Sequence, residues 1–217
     1  AGRLTWLDSI TSQLVARVEP GRPTELLVLD PHGHVEHAAS VLDDGVTTWL
    51  IMDETGADAL VMWLKRMVFR AQVVVAPEPE LTVVGFFGGG VAEQLAVPFA
   101  HDPAGVPLIW VDPWSQVAVG GHQYAVAPHP GGDWTWRIAI VTTDAAAELA
   151  DIADDFADLG VVVHQHRLGD LDDDPLGANV IPHEQRGQTC RQRRLELQRR
   201  EVDGEVAVLK ARQCRER

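Results

Sequence analysis

The feature that most constrains the fold is a run of three apolar segments separated by tight turns. T-E-L-L-V-L (Thr24 to Leu29) reads as a strand, Asp30 to Gly33 as a turn, and His34 to Leu42 as the returning strand. Asp43-Asp44-Gly45 then reads as a second hairpin turn, because glycine supplies the positive φ that such turns need, and Val46 to Met52 follows as a third strand. A helical period takes over from about Gly56 to Phe69, and strands return at Gln72 to Val75 and Leu81 to Phe87. Three strands, one helix and two more strands predict an α+β domain with a largely antiparallel sheet.

Around this unit the periodicity predicts further elements. Leu4, Leu7, Ile10, Leu14 and Val15 repeat at helical spacing, so a first amphipathic helix is expected to run until Pro20-Gly21. Met62 and Met67 fall at core spacing in the next helix and are expected to pack inside, with Ala59, Leu60 and Trp63. Gly88-Gly89-Gly90 precedes a short helix, Val91 to Leu95, and Glu93 would repel an anion there, so the glycines read as a joint rather than a phosphate cradle. Pro107 to Val111 and Trp134 to Val141 read as strands, with Trp134 and Trp136 on one face. Thr143-Asp144 is expected to cap a helix through Leu159, followed by a strand at Gly160 to Val163. Beyond His164 the pattern fades, and Arg191 to Arg200 is polar almost all round.

Charge narrows the function. The net charge is −14, and residues 1–180 hold 8 Lys and Arg against 26 Asp and Glu, a balance of −18. Residues 181–217 reverse this with 10 against 6, a balance of +4. An acidic body repels phosphate backbones, so nucleic acid is not an expected partner except through the Arg-rich tail. Cys190 and Cys214 lie 24 positions apart with no C-x-x-C, which indicates neither a disulfide framework nor a zinc knuckle. The apolar stretch from Val73 to Ala100 is interrupted by Glu78, Glu80 and Glu93, so no membrane partner is expected and the cytoplasm is the default location. The chain opens at Ala1 in what reads as helix, so an N-terminal portion is expected to precede it.

The densest cluster of reactive side chains is D-P-H-G-H-V-E-H (Asp30 to His37). H-x-H-x-x-H has the look of a metal box, since imidazole is a common transition-metal ligand. Strand alternation would place His34 and Glu36 on one face and Val35 and His37 on the other, so one ion could not reach both histidines unless a bulge intervened. Ser9, His37 and Asp30 could be drawn as a nucleophilic triad, but nothing puts Ser9 on a nucleophile elbow. A polar cluster beside a ligand pocket is the better expectation, because sites gather where loops leave a rigid sheet.

R-L-T-W-L-D-S-I-T-S-Q (Arg3 to Gln13), T-E-L-L-V-L-D-P-H-G-H-V-E-H-A (Thr24 to Ala38) and T-T-W-L-I (Thr47 to Ile51) resemble the YgfZ-type folate-binding proteins, relatives of the glycine-cleavage T-protein (aminomethyltransferase, GcvT). The wording P-H-G-H-V-E-H, together with P-L-I-W-V-D-P-W (Pro107 to Trp114) and W-T-W-R (Trp134 to Arg137), is similar to the actinobacterial branch. The likeness covers about Arg3 to Leu159, and V-I-P-H-E (Val180 to Glu184) with R-G-Q-T (Arg186 to Thr189) resembles part of a second signature whose K-G-C-Y half is missing.

The resemblance implies a GcvT/YgfZ-like multi-lobed α+β fold around a central tetrahydrofolate pocket. The lobes would span 1–100 and 101–165, with a divergent or truncated C-terminal segment at 166–217. It implies a reduced folate as cofactor, Leu7, Thr11 and Leu29 as pocket walls, His34, Glu36 and His37 at its edge, and Arg186 for the folate's glutamate tail. It also implies a role in iron–sulfur protein maintenance, with iron–sulfur proteins as clients. The T-protein's paired aspartates align with His37 and Ala38, so the transferase carboxylate is absent. Losing a positioned acid–base group costs about 100- to 10,000-fold, which places aminomethyl transfer second to binding. A third expectation is a non-catalytic relative serving protein–protein contact, and a central space filled by Trp49 or Trp110 would favour it.

Overall fold

The computed structural model describes residues 2–113, 135–154, 162–163 and 206–213. Expectations that fall on Trp134, Leu159, Arg186, Cys190, Cys214 and the segment 164–205 lie outside them.

The architecture is mixed α and β with two antiparallel sheets. In chain order the elements are α1 (Arg3–Asp8), β1 (Thr24–Leu29), β2 (Val35–Asp43), β3 (Thr47–Asp53), α2 (Glu54–Met67), β4 (Val73–Pro77) and β5 (Leu81–Phe87). There follow α3 (Val91–Ala96), a 3-10 turn (Val97–Phe99), β6 (Ile109–Val111), β7 (Trp136–Thr142), α4 (Thr143–Asp154), β8 (Val162–Val163) and β9 (Val206–Gln213). One sheet runs β1-β2-β3-β9-β4, the other β6-β7-β5-β8.

Three apolar clusters define four layers. One face of the larger sheet (Leu26, Val28, Ala39, Val41, Leu50, Leu209) packs on α1 and α2 through Leu7, Leu60 and Leu64. Its other face (Leu42, Trp49, Ile51, Val208) meets Leu81, Val83, Trp110 and Ile140 of the second sheet. The outer face of that second sheet (Val84, Phe86, Ala139, Val141) is covered by α3 and α4 through Ala92, Ala96, Ala146 and Leu149. The order is therefore helix, sheet, sheet, helix, and each sheet has both its faces packed against a neighbouring layer.

Several expectations change on contact with this architecture. The first helix ends at Asp8, ahead of its expected length. Ser9 Oγ donates to the Trp6 carbonyl and Thr11 Oγ1 to the Leu7 carbonyl, so short hydroxyl side chains compete with the helical ladder. The chain then runs along the outer edge of β1, where Ser12 N donates to the Leu27 carbonyl and Ser12 Oγ accepts from Leu27 N. This blunts an otherwise open sheet edge. Leu14, expected in the buried stripe, is exposed.

Met62 and Met67 are also exposed rather than packed; the buried face of α2 is Ala57, Leu60, Val61 and Leu64. The cap of α4 is Thr142, whose Oγ1 accepts from Ala145 N, rather than Thr143 or Asp144. The largest change is β9. It lies in the middle of the larger sheet between β3 and β4, in a region where the sequence pattern had faded. Val208 and Leu209 are both buried, one on each face, as a central strand requires.

Candidate functional site

The β1–β2 hairpin tip stands beyond the layers that cover the rest of its sheet: residues 31 to 36 are all exposed. Gly33 takes φ +86°, which closes the turn, and Gly33 N donates to the Asp30 carbonyl. Asp30 organises the tip. Its Oδ1 accepts from His32 N and His34 N, each at 2.8 Å, and its Oδ2 lies 2.9 Å from His34 Nδ1. The bond from the His34 ring, helped by these backbone donors, holds the Asp30 carboxyl below its usual range. The rings of His32 and His34 are 6.2 Å apart and tilted.

The pairing register overturns the expected alternation. Val28 lies opposite His37, but Leu29 lies opposite Val35, so Glu36 is the extra residue of a β-bulge. Across the bulge Val35 shares the face of Leu29, and His37 shares the face of Val28. Parity then puts His34 on the same side as His37, where strict alternation had separated them. His37 is half-buried against the first turn of α2, and a Cβ built on Gly56 would lie 3.8 Å from its Nδ1. The other face carries Leu29 and Val35 as an exposed apolar pair. Even so, among the described residues no group of three His, Cys, Asp or Glu side chains is placed to hold a metal ion.

Of the expected set, the tip therefore carries His34 and His37 on one face, Leu29 on the other and Glu36 at the bulge between them. Thr11 is tied to the Leu7 carbonyl one position before the segment that lines β1. Leu7 is only 1% exposed and packs in the helix-side core, so it offers a ligand little surface.

At the opposite end of β2 a second polar cluster is buried. Asp43 accepts from Arg3 through both oxygens, and also from Thr48 Oγ1 at 2.6 Å and Gly45 N at 2.8 Å. Asp44 accepts from Val46 N, Thr47 N and Trp49 Nε1. Asp43 takes four donors, two on each oxygen, and Asp44 takes three, so these buried carboxylates fasten the turn rather than face a ligand. The sequence marked this turn correctly, with Gly45 at φ +89°, but gave no sign that it is buried.

Elsewhere among the described residues, candidate ligand spaces are small or already filled. A cleft of about 170 Å³ lies between the first turn of α2 and the β4–β5 connection, lined by Glu54, Asp58, Glu78, Pro79, Leu81 and Leu209. It is smaller than the roughly 300–1,000 Å³ typical of small-molecule pockets. At the triple glycine, Glu93 accepts from Gly89 N at 2.6 Å and pairs with Arg137, so a carboxylate already occupies the loop. Between the sheets the space is filled by Trp49 and Trp110, at 2% and 4% exposure. Compared with known proteins, the chain matches no family, no curated protein and no solved structure.

Proposed function

We propose that this chain is a tetrahydrofolate-binding protein of the YgfZ/GcvT type, with that family's multi-lobed fold, serving iron–sulfur protein maintenance rather than glycine cleavage. The observation that carries the reading is the bulge at Glu36, which gathers His34 and His37 on one side of an exposed tip and leaves Leu29 and Val35 as an apolar pair on the other. A pterin carries donors and acceptors along its edge, which His34 and His37 suit from one side, while Leu29 and Val35 offer apolar surface at the other rim of the same tip. Imidazoles and carboxylates at the tip suit that edge, and Gly56 leaves room beside His37 that a side chain would take. Thr11 belongs to the margin of the site, and Arg186 is the proposed partner of the glutamate tail.

Aminomethyl transfer is disfavoured on chemical grounds. His37 and Ala38 stand where the transferases keep two aspartates, and the buried Asp43 and Asp44 are engaged by protein donors on both oxygens. Calorimetric titration with tetrahydrofolate is the test. Saturable binding that weakens in His37→Ala supports the proposal, and no heat at high micromolar ligand sinks it. The second reading, a non-catalytic contact protein, is favoured by Trp49 and Trp110 filling the space between the sheets.

A further inference from the structure

Phe69 is the one non-glycine residue among those described that holds a positive φ, at +40°. It stands just past the C-terminal end of α2, where glycine is the usual occupant because an L side chain is disfavoured in that conformation. Among the described residues its side chain is 86% exposed, and its ring lies against the neighbouring Arg70 guanidinium, 5.6 Å from the ring centre. Strain held at an exposed large aromatic points to a role outside the chain's own core.

Its surroundings share one character. Met62 and Arg66 follow each other at helical spacing on the last turns of α2, with Lys65 beside them and Phe69 just past the helix end. Met62 is 61% and Met67 40% exposed, although their spacing had predicted burial. Lys65, Arg66 and Arg70 are exposed, and among the described residues none has a carboxylate partner. That sets them apart from Arg3, Arg137 and Lys210, which pair with Asp43, Glu93 and Glu78. Three of the 8 Lys and Arg in residues 1–180 thus crowd into positions 65–70 of a segment whose balance is −18.

We propose that the C-terminal end of α2 docks an acidic segment of a partner protein, with Phe69 as the apolar anchor and Lys65, Arg66 and Arg70 as the cationic rim. Charge complementarity selects the occupant: a basic apolar patch on an acidic molecule attracts carboxylates. An anionic lipid surface would meet repulsion from the rest of the body. An aromatic anchor ringed by Arg is also the composition in which interface energy concentrates. The surface stands whether or not the tip binds folate, and it gives the contact reading a place and a partner chemistry.

The test is fluorescence anisotropy of the whole chain with a fluorescein-labelled peptide alternating Glu and Leu. The wild type is expected to bind it, less tightly as salt rises. Phe69→Gly and the combined Lys65→Glu, Arg66→Glu, Arg70→Glu variant are each expected to weaken binding about tenfold or more. Phe69→Gly is also expected to raise the urea midpoint, because it relieves the backbone, so lost binding cannot be ascribed to lost folding. Four results would overturn the proposal: no binding by the wild type, equal binding of a Lys–Leu peptide, unchanged binding by Phe69→Gly, or preference for phosphatidylserine vesicles over the peptide. A dimer by sedimentation that the charge-reversed variant abolishes would overturn it too, by making a second copy the occupant. Folate titration of the same variants stays unchanged, which separates failure here from failure of the folate proposal.

Discussion

Arg3 and Asp43 lie forty positions apart in the chain, yet Arg3 donates to both carboxylate oxygens, Nη2 to Oδ1 at 2.6 Å and Nε to Oδ2 at 3.1 Å. The Asp43 side chain is 1% exposed and that of Arg3 14%, so water screens this pair little. Arg3→Ala leaves a buried carboxylate with only its Thr48 and Gly45 donors, and the expected loss is about 3–5 kcal/mol, toward the lower value. Urea unfolding checks it. A loss below about 1 kcal/mol, the range of exposed pairs, would mean that water reaches the carboxylate.

The same turn gives a second expectation. Trp49 Nε1 donates to Asp44 Oδ2 at 2.9 Å from within the inter-sheet core. Trp49→Phe keeps most of the apolar volume and removes the donor, stranding one carboxylate oxygen, which costs about 1–3 kcal/mol. In a cycle with Asp44→Ala, which also strips Val46 N and Thr47 N of their acceptor, the double variant should lose less than the sum of the single losses. Additive losses would show that the hydrogen bond carries none of the effect.

Glycines at two close approaches should respond with opposite signs. A Cβ on Gly85 would sit 2.4 Å from Trp136 Cζ2, inside the sheet, so Gly85→Ala is expected to destabilise by about 1–3 kcal/mol. On Gly56 it would meet the flexible end of Met52 at 3.1 Å and His37 Nδ1 at an ordinary contact distance of 3.8 Å, while the helix gains alanine's propensity, worth up to about 1 kcal/mol. Gly56→Ala should therefore be neutral or stabilising, and at the same time weaken any ligand held beside His37. Thermal unfolding of the pair decides, and equal destabilisation by both would show that Met52 cannot move.

Asp30 sets the acid response of the hairpin tip. Its folded carboxyl is held below the usual value by the His34 ring and backbone donors, so its contribution is fully present above the unfolded value, near 3.9. The contribution is lost as pH falls through the lower folded value. Carbon-detected titration of Asp30 should give a midpoint below that of an unstructured Asp, with the His32 and His34 amide shifts following it. A midpoint at the ordinary value would mean that the carboxylate does not organise the turn.

Local pattern was enough for β1 and β5, whose bounds come straight from apolar runs closed by Asp30 at one end and by glycines at the other. What sequence missed depends on partners far along the chain. The Glu36 bulge has no glycine or proline to announce it, and it reverses which histidines share a face. Asp43 and Asp44 read as turn residues, whereas their burial depends on Arg3 and Trp49. Met62 and Met67 have core spacing, but the sheet beneath α2 is already filled by Leu60, Val61 and Leu64. A hydrophobic period shows how a helix can face a core; it does not show which of two neighbouring stripes the sheet will take.

β9 is the sharpest case and yields the last prediction. V-A-V-L-K-A-R-Q carries strand signals, but it follows a long polar, Arg-rich stretch and so reads as part of a solvated tail. In the fold it pairs with β3 over seven residues, Thr47 to Asp53, and with β4 over five, Val73 to Pro77. Leu209 is 0% exposed in one core, and Val208 is 2% exposed in the other. Leu209→Ala should then cost about 2–5 kcal/mol, as for a leucine deep in a core, and ending the chain at residue 205 should do more. It would strip pairing partners from β3 and β4 together and open the ladder between them, so an aggregating or unfolded product is expected. Circular dichroism and size-exclusion chromatography of the shortened chain check this. A monomeric, cooperatively unfolding product would show that the larger sheet closes without β9.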